Sequence, residues 1–242
     1  MCIIAIQPKG IKISQKTLKN CWDNNGHGAG IMYAHNGKII VKKELKDFNK
    51  FMQIKKDADR YDTNIVIHFR IATSGGVNYE NCHPFKVNDQ VYFCHNGILD
   101  IEVPIYSKIN DTQIFNNNFL KGLPVNFVRN DSLMQLIEFS IGINNKFVFL
   151  DCYGDFYIIN ENIGTWQNGA WYSNKSYLSM PTYFNKSYAH NITDEFEEDD
   201  EEITMPCECC GEVIDIENIQ YDDRYDYYLC KDCYKYESYE AL

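Results

Sequence analysis

Two groups of residues have the types and spacing to do chemistry. The first is Cys2. If Met1 is removed, its thiol shares one residue with a free α-amine, whose reference pKa of about 7.7–8.0 lets it accept a proton near neutrality. Nucleophile and base are then a single residue. Taken alone, however, Met1-Cys2 ahead of the apolar run at 3–6 also reads as a buried cysteine in a first strand, a common setting for a free thiol. The second group is Cys207-x-x-Cys210, then 19 residues, then Cys230-x-x-Cys233. Each pair is short enough to bring two thiolates onto one ion, and four sulfur ligands with no open position describe a structural zinc rather than a catalytic one. Gly211 suits a tight turn after the first pair, and Cys209 between the ligands is read as a non-ligand.

The tripeptide His-Asn-Gly occurs at 35–37 and again at 95–97. Asn-Gly is the strongest short hairpin signal, because both residues tolerate positive φ. Matching β-rich runs at 29–34 and 38–43 flank the first copy, so Asn36-Gly37 reads as a two-residue turn. The second copy follows a strand at 90–94, but Asp100, Glu102 and Pro104 soon interrupt what lies beyond. It reads as a strand end, where functional side chains are often displayed.

The elements that must position these residues follow from periodicity and punctuation. A buried strand covers 2–7, and Ser14 is placed to cap the helix after it. A helical stretch runs over about 44–59 and a strand over 63–71; helices cover 112–120 and 132–141, the second capped by Asn130 or Asp131. Strands at 147–152 and 156–160 form a hairpin around Tyr153-Gly154, and 170–173 adds another. Strands, then helices, then strands predict sheets covered by helices, an α+β fold.

At 242 residues with 45% hydrophobic content, the chain is long enough for a buried core. It lacks the roughly 18 uninterrupted apolar residues of a membrane span, and its first residues are too briefly apolar for a signal peptide, so a cytoplasmic location is expected. In that reducing compartment the ten cysteines are expected to be thiols or metal ligands rather than disulfides. The net charge of −11 is uneven: residues 194–242 carry 18 acidic and three basic residues, and the rest of the chain is net positive. The run of eight acidic residues within 194–202 repels itself and reads as a solvated linker. So acidic a tail repels phosphates, which argues against nucleic acid as its partner.

Cys2, the block HFRIATSGGVNYENCHPF at 68–85, FCHNG at 93–97 and NDTQ at 110–113 together resemble the class II glutamine amidotransferase domain of the N-terminal nucleophile (Ntn) hydrolases. The resemblance covers about residues 2–180. It implies a four-layer αββα sandwich over 1–180, followed by an acidic linker at 181–204 and the four-cysteine zinc ribbon at 205–242. In the roles it implies, Cys2 attacks the side-chain amide of L-glutamine, while the Asn96 side-chain NH₂ and Gly97 backbone N–H stabilise the oxyanion. Arg70 would bind the α-carboxylate and Asp111 the α-ammonium, with Thr73 and Ser74 lining the pocket. His83 fits the family's His-Pro-Phe but serves equally as a structural histidine, as do His27, His68 and His95. The motif at Asp111 reads Asp-Thr-Gln where relatives commonly have Asp-Thr-Glu.

The resemblance therefore implies a glutaminase that releases ammonia. No segment of synthase size follows Tyr177, so the acceptor is expected on a separate synthase or ligase. Two rival readings stand beside it: an Ntn amidohydrolase acting on a different amide, and a degenerate Ntn domain used as a protein-binding module.

Overall fold

The computed structural model describes residues 2–71, 76–104, 107–179, 204–207, 210, 212–215, 218–222 and 227–239. The chain divides into two compact units, Met1–Pro181 and Thr182–Leu242.

In the first unit the chain runs through β1 (Ile3–Gln7), α1 (Gln15–Asn24), β2 (Ala29–His35), β3 (Lys38–Glu44), α2 (Phe48–Ala58), β4 (Ile65–Phe69), β5 (Phe85–Lys86), β6 (Val91–Asn96), α3 (Asp111–Asn118), α4 (Asp131–Ile141), β7 (Lys146–Asp151), β8 (Phe156–Ile159), β9 (Thr165–Gln167) and β10 (Ala170–Tyr172). Among the described residues these strands make two antiparallel sheets, in the orders β3-β2-β4-β1-β10-β9 and β5-β6-β7-β8.

Strand alternation builds the layers. Successive strand residues point to opposite faces. Ile3, Ala5, Ile31, Ile65, Ile67 and Phe69 turn one face of the first sheet onto Leu18 and Trp22 of α1 and Phe51 of α2. Their neighbours Ile4, Ile6, Met32 and Val66 face inward and meet Cys94, Val148 and Leu150 of the second sheet. That sheet turns Phe93, Phe147 and Phe149 outward onto Phe115 of α3 and Ile137 of α4. The result is the αββα sandwich the resemblance implied. Strands buried on both faces explain why 3–6 reads as an uninterrupted apolar run.

Local signals hold where the backbone chemistry is explicit. The Ser14 hydroxyl accepts from the Thr17 amide at the start of α1, and Asn130 caps α4 by accepting from Leu133. Asn36 and Gly37 take φ of 51° and 72° between His35 and Lys38, which pair across the hairpin, so the first His-Asn-Gly is a turn. The helix expected over 44–59 starts later. β3 continues to Glu44, whose carboxylate accepts from the amides of Leu45, Lys46 and Asp47, and Asp47 then caps α2.

In the second unit, β11 (Thr204–Pro206) pairs with β12 (Val213–Asp215), and β13 (Ile219–Asp222) with β14 (Tyr227–Cys230), which leads into α5 (Lys231–Tyr239). Among its described residues Met205, Cys207, Leu229 and Cys230 are buried, with Ile214, Cys233 and Tyr234 packed against the Cys207–Leu229–Cys230 cluster. No helix among the described residues is long and apolar enough to cross a membrane. The expected acidic linker lies almost entirely outside the described residues.

Candidate active site

Three strand ends converge. Cys2 immediately precedes β1, Arg70 and Ile71 follow β4, and Asn96-Gly97 closes β6. Because β1 and β4 pair antiparallel with Ile3 opposite Phe69, the register carries Cys2 opposite Arg70, next to Ile71. Its thiol lies 3.3 Å from the Ile71 carbonyl oxygen, and the Ile71 amide points back at the sulfur, also at 3.3 Å.

Asn96 arrives from the other sheet. Alternation along β6 turns Cys94 and Asn96 toward the first sheet, and His95 toward α3. The Asn96 side-chain Nδ2 donates to the Cys2 carbonyl oxygen at 2.6 Å, and the Nδ2 of Asn174, just beyond β10, donates to the same oxygen at 2.7 Å. Asn174 was not singled out in the sequence. Its one local signal is the register that sets β10 beside β1, where Ser173 exchanges hydrogen bonds with Ile4.

Burial pushes the Cys2 thiol pKa up, while the Ile71 amide and the nearby Arg70 charge act in the opposite direction. The resting thiol is therefore protonated, and a nucleophilic role requires a base. Arg70 is buried; its guanidinium donates to the Gly76 carbonyl at 2.7 Å, and burial lowers its pKa against the opposing effect of Cys2. Asp111, the first residue of α3, is anchored from both sides: its Oδ2 accepts from the Leu99 amide at 2.9 Å and its Oδ1 from the Thr112 amide at 2.7 Å. Thr73 and Ser74 lie outside the described residues.

Gly97 has φ of 141°, a conformation open to glycine and rarely to other residues. A Cβ there would lie 2.2 Å from the Asn145 side-chain oxygen, so only glycine allows this approach. The second His-Asn-Gly is thus a strand end with a tightly packed glycine, unlike the open turn at Gly37, where a Cβ would meet nothing within 4 Å.

Behind the site His68, His83 and His95 are all buried. The rings of His68 and His83 lie 4.1 Å apart, and His68 Nε2 meets the His95 carbonyl oxygen at 3.1 Å. Burial drives the His68 pKa down to about 3 and that of His83 well below the usual histidine value, so both are neutral. Neither ring nitrogen of His83 has a hydrogen-bond partner among the described residues. The neutral His83 ring packs between His68 and Phe85, with centroids 4.1 and 4.3 Å away.

In the second unit the Sγ atoms of Cys207, Cys210, Cys230 and Cys233 all lie within 4.8 Å of one another. The Cys210–Cys230 separation is 3.9 Å. A tetrahedron of metal–sulfur bonds about 2.3 Å long has edges of about 3.8 Å, so the donor set fits a metal ion. Backbone amides also point at two sulfurs, Cys230 N to Cys207 at 3.2 Å and Cys233 N to Cys230 at 3.4 Å. Cys209 and Gly211 lie outside the described residues.

Comparison with known proteins agrees with the resemblance read from the motifs. Residues 49–113, which include Arg70, Asn96, Gly97 and Asp111, match the model of the family Glutamine amidotransferases class-II. Over 111 residues the sequence is 31% identical to an uncharacterized protein of Methanocaldococcus jannaschii; the match covers 42% of this chain and 31% of that relative's length. Two solved structures align with 71% of this chain and 41% of their own. They are glutamine phosphoribosylpyrophosphate amidotransferase from B. subtilis complexed with ADP and GMP, at 15% identity and a TM-score of 0.44, and the allosteric regulatory enzyme of purine biosynthesis, at 18% and 0.45.

Proposed function

We propose that the first unit is a class II glutaminase, which hydrolyses the side-chain amide of L-glutamine and releases ammonia for an acceptor on a separate protein. With Met1 removed, the Cys2 α-amine takes the thiol proton and the sulfur attacks the amide carbon. The carbonyl oxygen becomes an oxyanion. Asn96 carries two amide hydrogens: one is held by the Cys2 carbonyl, and the other is available for the oxyanion beside the Gly97 N–H. As the carbon–nitrogen bond breaks, the nitrogen takes the proton from the α-amine and leaves as ammonia. Water then adds to the Cys2 thioester, the carbon–sulfur bond breaks, and glutamate and the thiol are regenerated. Arg70 and Asp111 hold the α-carboxylate and α-ammonium, with Thr73 and Ser74 alongside.

The observation that carries this reading is the 2.6 Å bond from Asn96 to the Cys2 carbonyl, since it joins the amide donor at the end of one sheet, with Gly97 next to it in the chain, to the backbone of the proposed nucleophile at the start of the other. In the second unit we assign zinc to the four cysteines. There it cross-links the residues before β12 to the β14–α5 junction, a structural role suited to a four-sulfur site with no open position in a unit of this length.

The test is ammonia release from glutamine by the purified protein, with intact mass defining its first residue. Active protein should lack Met1, and a glutamine-analogue electrophile should add once, at Cys2. Labelling at a different cysteine, or full activity with Met1 retained, overturns the assignment.

A further inference from the structure

We infer that Thr112, His95 and Asn145 are positioning residues that link the start of α3, where Asp111 lies, to the Gly97 backbone through two hydrogen bonds and one packing contact, so that the clamp for the substrate amine and the oxyanion donor are held in one packed unit. The inference rests on the glutaminase reading of the site and assigns roles to residues that reading leaves idle.

The chain of contacts is continuous and buried. Thr112, directly after Asp111, places its Oγ1 2.7 Å from His95 Nδ1. The other ring nitrogen, Nε2, lies 2.8 Å from the Asn145 side-chain oxygen, and that oxygen occupies the space where a Cβ on Gly97 would be. Thr112, His95 and Asn145 are all buried, so water does not compete for these bonds.

Proton positions follow from the ends of the chain. Asn145 Nδ2 donates to the Ile141 carbonyl at 2.7 Å, which fixes its amide orientation and makes Oδ1 an acceptor. His95 therefore carries its proton on Nε2. Burial lowers the His95 pKa, so the ring is neutral and Nδ1 accepts from the Thr112 hydroxyl. That hydroxyl has a single proton. Committed to His95 at 2.7 Å, it does not spend the proton on Asp111 Oδ1, which lies farther away at 3.3 Å. The carboxylate thus keeps lone pairs for an ammonium while two backbone amides hold it in place.

At the far end, the Asn145 carbonyl accepts from Asn160 at 2.7 Å, so both its backbone and its side chain are pinned where they press on Gly97. Gly97 is directed by this contact. A misaimed oxyanion donor costs turnover more than binding, because the oxyanion exists only beyond the ground state.

The experiment compares glutamine hydrolysis and thermal melting for the full chain with Thr112→Val, Thr112→Ser and Asn145→Ala. Thr112→Val keeps the shape and the backbone amide that holds Asp111 but removes the hydroxyl. It should lower kcat about tenfold, less than the roughly 10²–10³-fold loss when an oxyanion donor itself is removed, and leave KM within about twofold. Thr112→Ser should restore kcat, and Asn145→Ala should reproduce the kcat loss. A folded Thr112→Val with wild-type kcat overturns the relay alone, as does a loss that appears only in KM. A wild-type protein that releases no ammonia overturns both the relay and the reading beneath it. If Asn145→Ala does not fold, the threonine pair decides.

Discussion

The Asn96 side-chain amide donates to the Cys2 carbonyl oxygen at 2.6 Å, joining a strand end of one sheet to the first strand of the other. Asn36, in the other copy of His-Asn-Gly, occupies a hairpin turn with φ of 51°. Asn96→Ala should therefore cut turnover by about 10²–10³-fold in a folded protein, through loss of an oxyanion donor. Asn36→Ala should instead cost about 1–2 kcal/mol of stability, because alanine resists the left-handed region, and leave kcat alone. Equal losses of turnover in two well-folded variants would remove the distinction.

Gly30 supports the site from beneath. It pairs with His68, and a Cβ at this position would lie 1.8 Å from the His83 carbonyl oxygen. The obstacle is backbone, which cannot swing aside as a side-chain tip can. Gly30→Ala should cost more than about 3 kcal/mol, beyond ordinary overpacking. A melting temperature close to wild type would show that the 83–84 segment moves away easily.

Legibility in the sequence followed the range of each interaction. Ser14, Asn130 and Asn36-Gly37 act on backbone within a few residues, so their roles were readable from local pattern alone. The uninterrupted apolar run at 3–6 marked a buried strand. Asn174 and Asn145 were not readable, because each acts across the fold: Asn174 on Cys2, 172 residues away, and Asn145 on His95, 50 residues away. A lone asparagine with no motif around it carries no sign of such a partner. The two short strands β5 and β9 were missed for a related reason, since pairing rather than periodicity defines strands of two and three residues.

The buried histidines set an acid limit on stability. Burial lowers the His68 pKa to about 3 from an ordinary value of 6.5; the hydrogen bond to the His95 carbonyl works against this, and the nearby Arg70 and Lys43 charges add to it. His83 is shifted the same way, with Lys43 and Arg70 adding to the effect of burial. Below about pH 6.5 the unfolded chain binds protons at these rings that the folded protein does not, so stability is highest above that pH and falls as pH drops toward the folded values. For His68 alone the loss at pH 5 is on the order of 2 kcal/mol. Urea unfolding at pH 7.5 and pH 5 should show this fall, and His83→Phe should flatten it. Identical slopes for wild type and variant would mean that His83 titrates normally.

The four-cysteine unit yields the last prediction. Among the described residues its buried centre is Met205, Cys207, Leu229 and Cys230, so a zinc ion held by Cys207, Cys210, Cys230 and Cys233, as proposed, would organise the unit where apolar burial is limited. Chelation should release one zinc per chain and unfold this unit, while the first unit keeps its melting transition. Removing residues 194–242 should leave glutamine hydrolysis intact, because Cys2, Arg70, Asn96, Gly97 and Asp111 all lie in the first unit. If the unit docks the ammonia acceptor, truncation should also abolish co-purification of a partner enzyme from the native host while basal hydrolysis persists. Unchanged partners after truncation would leave the unit a structural appendage, and lost hydrolysis would mean that it supports the active site directly.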